Sequence, residues 1–164
     1  MRERHTVRQR RRTQEFEAFV AGAAGRLLHT ATLLTAEPAD PPGANERARR
    51  LLTAALARTY ADWDGLRGED PYNRTRQELA TRFAREAWRH HGPRGGLLDP
   101  LTPQERLVLV LRLYEGVPEE STAALLGIPV DRVRAVCNRS VATMRGTRDP
   151  TTRWGRPRAL GAAP

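Results

Sequence analysis

Residues 123–130 read AALLGIPV, and this stretch decides which fold the sequence predicts. The small side chains at its start let two helices approach closely, and Gly127 can adopt the left-handed backbone conformation of a tight turn. Ile128 follows, and we expect it to fill the angle between the helix before the turn and the helix after it. The pattern predicts a helix-turn-helix, with an ordinary helical hairpin as the alternative.

A predicted helix on each side of the turn completes this unit. Before it, Thr102 and Glu105 have the spacing of a capping box, and Pro103 suits the first helical position, where an N–H has no helical partner. After it, a helix over about 130–144 should bury valines and present polar side chains, as a helix in a DNA major groove does. The DNA-binding residues predicted on that helix are Arg132, Arg134, Asn138, Arg139 and Arg145.

Three further helices are predicted in the first half of the chain, because apolar residues recur there at spacings of three and four. They cover about 15–35, 44–63 and 72–90, with proline-rich or glycine-containing stretches between them. The predicted fold class is all-α, with two small helical lobes joined by a short linker and a helix-turn-helix as the C-terminal lobe. The predicted divisions are a flexible basic arm (1–13), a first helical domain (14–91), a linker (92–100), a helix-turn-helix domain (101–148) and a disordered tail (149–164).

The chain carries a formal net charge of +9, and all 28 of its basic residues are arginines. Such a charge predicts an anionic partner, and nucleic acid is the commonest one. Cys137 is the only cysteine, which excludes an intramolecular disulfide and a four-cysteine zinc site. No run of about 18 apolar residues is present in the sequence. We therefore expect a cytoplasmic protein with no membrane partner, no cofactor and no metal.

Two adjacent pairs come nearest to catalytic groups: His90 with His91, and Glu119 with Glu120. Neighbouring histidines point in different directions from a helix, and the helix dipole favours carboxylates in a first turn without any catalytic role. Neither pair belongs to a recognisable set of nucleophile, base and orienting partner. We therefore expect no catalytic residues and no enzyme.

The stretch LTPQERLVLVLRLYEG at 101–116, together with AALLGIPV, resembles region 4 of the extracytoplasmic-function sigma factors. These proteins belong to the sigma-70 superfamily, and the resemblance is to their sigma-E-like actinobacterial type. It implies that the second lobe recognises the minus-35 element of a promoter, with its last helix in the major groove. Ala135 and Val136 stand where many relatives have polar or basic residues, which implies an unusual promoter sequence.

The first lobe is similar to region 2 of the same family, but it is more divergent. Relatives grip the polymerase clamp with a helix that carries an Asp-Leu-Val-Gln-Glu run, where this chain reads RLLTA at 50–54. The polymerase-binding residues implied by the alignment are Arg50, Leu51, Thr53 and Ala54. Downstream, the resemblance implies a segment that holds the minus-10 strand, although these aromatics could instead be core residues. Its residues are Tyr72, Arg82, Phe83, Trp88 and Arg89.

The function implied by the resemblance is that of an alternative sigma factor. Such a protein binds core RNA polymerase and directs promoter-specific transcription initiation, with promoter DNA as its second partner and an anti-sigma factor as a further candidate. Because the Asp-Leu-Val-Gln-Glu run that contacts the clamp is absent here, an alternative stays open. It is a degenerate sigma-like DNA-binding regulator or decoy that does not bind core polymerase efficiently. A third hypothesis is an interaction protein that sequesters a sigma-factor antagonist by its shape.

Overall fold

The computed structural model describes residues 2–66 and 68–148, and within those ranges all regular secondary structure is helical. A 3-10 turn at Trp63–Gly65 follows the second helix, another at Ala87–His90 follows the third, and a π-helical segment at Val110–Tyr114 continues the fourth. The all-α class is therefore confirmed. The predicted tail, 149–164, lies outside the described residues. The α-helices are α1 (Arg2–Thr35), α2 (Glu46–Ala61), α3 (Pro71–Arg85), α4 (Pro103–Leu109), α5 (Glu119–Leu126) and α6 (Val130–Arg148).

Helix α1 begins at Arg2, so residues 2–13 are helical and not the flexible arm predicted from their charge. The reason is a set of contacts with the end of α2. The Arg12 guanidinium lies 4.5 Å from the centre of the Tyr60 ring and donates to the Tyr60 backbone carbonyl. The Thr13 hydroxyl lies 3.3 Å from the Tyr60 hydroxyl. Charge counting misses these contacts because each partner lies more than 40 residues away in sequence.

The loop between α1 and α2 supplies the N-terminal cap of α2. The buried Glu37 carboxylate accepts hydrogen bonds from the backbone N–H groups of Arg47 at 3.0 Å and Ala48 at 2.8 Å. Backbone donors in a first helical turn have no helical partner, and a carboxylate there also suits the helix dipole. Asn45 does occupy the N-cap position, but its amide instead donates to the Thr32 hydroxyl at 3.0 Å.

The two lobes share one hydrophobic core. Leu27, Leu79 and Phe83 are fully buried in the first lobe, and the same cluster continues into the second through other leucines and valines. The connection between the lobes is packed as well: the Gly96 N–H donates to the Ala36 carbonyl at 2.9 Å, and a Cβ at position 96 would overlap that oxygen. The connection and the second lobe contribute apolar side chains to this same core. They are Leu98, Leu101, Leu107, Val110, Leu111 and Val117.

Two charged side chains are buried where the lobes meet. Arg106 on α4 is 2% exposed and donates to the carbonyls of Leu34 at 3.0 Å, His90 at 2.5 Å and Leu101 at 3.2 Å. The first two carbonyls belong to the first lobe, at the end of α1 and at the end of the 3-10 turn after α3. Burial without a hydrogen bond would make a charge very costly, so the guanidinium fixes how α4 sits on the first lobe.

The second of these side chains is Glu115, which follows the π-helical segment. Its carboxylate accepts from the Thr30 hydroxyl and from the Tyr72 hydroxyl, the latter at 2.9 Å and 3.0 Å, and it pairs with Arg26 at 3.6 Å and Arg76 at 3.7 Å. All four partners belong to α1 or α3. Burial and the hydrogen bond to Glu115 raise the pKa of Tyr72 above its ordinary value. The phenol therefore stays protonated and remains a donor at neutral pH.

We expect Arg106→Met to lower the free energy of unfolding by about 2 to 4 kcal/mol, because it leaves buried carbonyls without donors while it keeps the apolar stem. Urea unfolding followed by circular dichroism measures the change. Arg85→Met is the matched control, since Arg85 is exposed and has no side-chain hydrogen bond or ion pair within 2–66 and 68–148. Equal stability of the two variants would contradict the assigned role of Arg106.

Candidate nucleic-acid interface

The helix-turn-helix begins with the predicted capping box, which the structure confirms. The Thr102 hydroxyl accepts from the Glu105 N–H at 3.3 Å, and the Glu105 carboxylate accepts from the Thr102 N–H at 2.9 Å. Pro103 occupies the first helical turn, as expected. These bonds satisfy donors that a helix start otherwise leaves unpaired, and they fix the direction in which α4 leaves the connection.

The turn between α5 and α6 also has the predicted chemistry. Gly127 adopts φ 65° and ψ 33°, the left-handed conformation that glycine tolerates best. The Ile128 N–H donates to the Ala123 carbonyl at 3.1 Å, and the Ile128 side chain packs against a small core cluster. That cluster joins all three helices of the unit through Val108, Ala123, Val133 and Val136. The angle between α5 and α6 is therefore fixed by backbone conformation and packing together.

Helix α6 separates its side chains into a buried face and an exposed face. Val133, Val136 and Ser140 are fully buried, and the serine hydroxyl donates to the Val136 carbonyl at 2.8 Å. Cys137 is only half-buried, and burial raises the pKa of its thiol. The predicted DNA-binding residues all lie on the exposed face: Arg132, Arg134, Asn138, Arg139 and Arg145.

Two of these five side chains are held by carboxylates from the same lobe. Arg134 pairs with Glu119 at 2.9 Å and with Asp131 at 3.1 Å, and Arg139 pairs with Glu105 at 2.9 Å. Burial works against ionisation of Glu105, but hydrogen bonds from Thr102 and Arg139 hold the pKa of that carboxyl below its usual value. The pair with Arg139 therefore persists at neutral pH.

The other three side chains on this face have no such partner. Arg132, Asn138 and Arg145 make no side-chain hydrogen bond or ion pair with any residue in 2–66 or 68–148. A guanidinium can contact a phosphate or a guanine edge, and a carboxamide can pair with an adenine edge. The exposed face thus offers two unpaired arginines and one unpaired amide on a helix of major-groove dimensions.

The residues expected to hold the minus-10 strand have different surroundings from one another. Trp88 is 68% exposed, and the Arg89 guanidinium lies 4.8 Å from its ring centre. Arg82 is half-buried and pairs with Glu78 at 2.7 Å. Tyr72 is half-buried with its hydroxyl on Glu115, at the contact between the lobes.

Phe83 requires a correction. Its ring is fully buried and stacks on His90 with 4.7 Å between ring centres, so it belongs to the core, which was the alternative for these aromatics. A buried ring cannot stack on a base without unpacking the lobe. The predicted stacking role is therefore wrong for Phe83 in this conformation.

The residues expected to bind polymerase lie on α2. Arg50 and Thr53 are exposed, Ala54 is half-buried and Leu51 is 7% exposed. Arg50 pairs with Glu46 one turn earlier. Leu51 faces the core, so its contribution to any docking surface is limited to the small part of its side chain that reaches solvent.

A groove joins the two predicted surfaces of the first lobe. It has a volume of about 580 Å³ and lies between the start of α2 and the 3-10 turn that follows α3. Three residues in its wall were not predicted as site residues: Arg47, Glu86 and His90. Arg47 lies one helical turn before Arg50, a signal that the sequence did contain. The predicted residues that line it are Arg50, Leu51, Ala54, Arg82, Trp88 and Arg89.

Comparisons with known proteins point to one family. Residues 97–145 match the family described as sigma-70, region 4. Proteins named RNA polymerase sigma-E factor from Streptomyces avermitilis, Streptomyces antibioticus and Streptomyces coelicolor are each 33% identical over 156 residues. The match covers 80% of this chain and 83%, 83% and 84% of the three relatives. The chain belongs to the extracytoplasmic-function sigma factors, of the sigma-E type. No solved structure matches it.

This membership confirms the function that the resemblance implied, an alternative sigma factor that directs transcription initiation at promoters. The family match and the relatives give no support to the alternative of a degenerate regulator or decoy. Among the described residues of this sigma factor, no helix is both long and apolar enough to cross a membrane.

We expect Arg132→Ala to weaken binding to duplex DNA and to reduce the slope of log affinity against log salt concentration by about 1. Arg134→Ala should weaken binding less, because that guanidinium must leave Glu119 and Asp131 before it contacts DNA. Fluorescence anisotropy with one labelled duplex, titrated at several salt concentrations, measures both. Arg85→Ala on α3 is the control. A larger loss in Arg134→Ala than in Arg132→Ala would refute this ranking.

Proposed function

We propose that the two lobes of this sigma factor bind different partners. Helix α6 binds the minus-35 element in the major groove, and the first lobe binds core RNA polymerase and the minus-10 strand. The observation that carries the proposal is the exposed face of α6, where Arg132, Asn138 and Arg145 have no partner among the described residues and lie opposite a buried apolar face. The names of the relatives, RNA polymerase sigma-E factor, support the polymerase as the partner.

Within α6, the proposed roles follow the pairing of the side chains. Arg132 and Arg145 contact phosphates or base edges directly, and Asn138 is the candidate reader of an adenine. Arg134 and Arg139 contribute positive potential, while the carboxylates of Glu119 and Glu105 hold their guanidinium groups in place. Positive potential attracts DNA from any direction, whereas only directed hydrogen bonds distinguish one base pair from another.

In the first lobe, exposed Trp88 and Arg89 are the proposed minus-10 contacts, with Arg82 beside them. Base stacking on an aromatic side chain is worth about 1 to 3 kcal/mol, so one exposed indole makes a useful platform. Arg50, Thr53 and Ala54 on α2 are the proposed polymerase contacts. Their chemistry differs from the acidic and amide run of the family, so the proposed contact with the clamp is altered in charge.

The proposal includes no covalent chemistry: we propose that the protein is a DNA-binding regulator and not an enzyme. It would act in the cytoplasm, where RNA polymerase transcribes. An anti-sigma factor remains a candidate regulator of its activity. The proposed boundaries between arm, first domain, linker and second domain are those given by the sequence, with the arm now part of α1.

Gel filtration of the purified full chain with core RNA polymerase at moderate salt tests the proposal. We expect stoichiometric co-elution, and we expect the complex to start transcription from a promoter that the core enzyme alone ignores. Absence of co-elution at any salt concentration would refute the polymerase role, whatever the DNA affinity of α6.

A second variant tests the altered clamp contact. The triple change Arg50→Asp, Thr53→Gln and Ala54→Glu restores the acidic and amide groups of the family at three exposed or half-exposed positions. We expect this variant to bind core polymerase more tightly in a competition assay, since the lost contacts return. The control is the same set of residue types at Arg85 and other exposed positions of α3. No gain in affinity would mean that the lobe docks on polymerase through another surface.

A further inference from the structure

The start of α1 carries a dense positive charge that none of the surfaces proposed above includes. Arginines stand at positions 2, 4, 8, 10, 11 and 12, and Glu3 is the only acidic residue among the first 14. The side chains of Arg8 and Arg11 are 76% and 80% exposed, and Arg10 is exposed as well. We call these three residues, Arg8, Arg10 and Arg11, the arm patch.

The arm patch is held in place by contacts between the same part of α1 and the end of α2. Besides Arg12, which lies over the Tyr60 ring, the Gln9 amide donates to the Tyr60 hydroxyl at 3.3 Å. One turn further on, the Phe16 ring lies 4.8 Å from the Tyr60 ring and 5.2 Å from the Trp63 ring, measured between centres. The exposed arginines therefore project from a docked helix, which loses less conformational entropy on binding than a flexible tail would lose.

The charge of the arm patch is poorly neutralised. Arg8 reaches Asp64 only at 4.0 Å, Arg11 pairs with Glu15 at 2.8 Å, and Arg10 makes no side-chain hydrogen bond or ion pair within the described ranges. Exposed pairs of this kind contribute little to stability. Arg8 also lies one helical turn before two further arginines, and like charges at that spacing destabilise a helix. The cluster thus brings the fold no stability, which indicates that it serves an anionic partner.

The side chains around the arm patch favour the phosphate backbone of DNA over a protein or a membrane as that partner. Val7 is the only large apolar side chain that 6–13 exposes, whereas a protein interface needs buried apolar or aromatic anchors and a membrane-bound helix needs an apolar face. Thr6 and Gln9 lie between the arginines, and hydroxyl and amide groups are common phosphate contacts. A guanidinium can donate two parallel hydrogen bonds to one phosphate. With no aromatic residue in 6–13, the patch has no ring to stack on bases.

We propose that the arm patch binds the phosphate backbone of duplex DNA, at a place separate from α6 and from the groove of the first lobe. The choice of DNA rests on the proposed function, but the surface is a new one. The patch is anchored at the end of α2 and the groove lies at its start, and a helix of 16 residues is about 24 Å long. This length equals about seven base pairs of duplex. Because phosphates are the same in every sequence, the patch adds affinity and leaves base discrimination to α6.

Fluorescence anisotropy on the full chain tests the proposal with one labelled duplex, titrated at several salt concentrations. The arm variant combines Arg8→Gln with Arg10→Gln, and its matched control combines Arg49→Gln with Arg85→Gln, which removes the same charge at exposed helical positions elsewhere. We expect the arm variant to bind about five-fold more weakly or worse, and to lower the slope of log affinity against log salt concentration by about 2, since two phosphate contacts are lost. The control should change both values much less. Equal losses in the two variants would show general attraction and would overturn the arm patch.

Further measurements on the arm variant identify the partner. We expect the same fold-loss with duplexes of unrelated sequence, and unchanged co-elution with core RNA polymerase. A loss of polymerase binding with unchanged DNA affinity would assign the arm patch to the polymerase and overturn the proposal. If Arg132→Ala weakens DNA binding and the arm variant does not, the arm patch alone is refuted. If the original chain binds no duplex at all, the proposed role of α6 fails together with it.

Lysine substitutions separate a phosphate contact from an effect on the fold. The variant that combines Arg8→Lys with Arg10→Lys keeps both charges, and an ammonium group also neutralises a phosphate, so we expect its salt slope to stay close to that of the original chain. Circular dichroism should show the same helix content in the lysine and glutamine variants, because Gln9, Arg12 and Tyr60 are unchanged. An equal fall of the slope in both variants would assign the effect to the fold and overturn the proposal.

Discussion

The position of the helix-turn-helix on the first lobe depends on one buried guanidinium, that of Arg106. Its donors meet carbonyls at the end of α1, at the end of the 3-10 turn after α3 and at the start of the second lobe. The carbonyl end of a helix carries partial negative charge, so a cation placed at the end of α1 gains from the dipole as well as from the hydrogen bond. Charge, hydrogen bonding and burial thus favour one arrangement of the lobes. The Glu115 carboxylate adds a second polar contact from the other end of the same helical run.

From this contact, a continuous set of interactions leads to the proposed DNA-binding face. Helix α4 carries Arg106 towards the first lobe and Val108 towards α6. Glu105, in the first turn of α4, exchanges hydrogen bonds with Thr102 in the capping box and forms an ion pair with the Arg139 guanidinium on α6. Helix α6 and the groove of the first lobe are therefore held in one fixed relation in this structure. A rearrangement of the two lobes would have to break buried hydrogen bonds of Arg106 and Glu115.

Sequence reasoning was most successful where the determinants are local. The capping box at Thr102 and the left-handed turn at Gly127 are set by residues within a few positions of one another, and both were predicted. The partners of Arg12, Glu37 and Arg106 lie between 10 and 72 residues away, with the exceptions of Thr35 and Leu101, so the long-range contacts could not be inferred from spacing. Phe83 was misassigned for a different reason: the family resemblance implied a stacking role for it, whereas the helical spacing of apolar residues favoured a place in the core, where its ring lies. Family resemblance supplied the function, but it did not supply these contacts.

The same limit applies to the candidate site on α6. The sequence pattern places five polar side chains on the exposed face, and the structure agrees. The pattern does not, however, distinguish paired arginines from unpaired ones. Their differences come from α4 and α5, where Glu105 and Glu119 lie 34 and 15 residues from the arginines that they hold. A held arginine must exchange a carboxylate for a phosphate, so its net gain on binding is smaller than that of an unpaired one. If α6 binds DNA as proposed, Glu105 and Glu119 lower its general attraction to DNA, while Asn138 and its unpaired neighbours stay available to read base edges, so these carboxylates would favour selectivity over affinity.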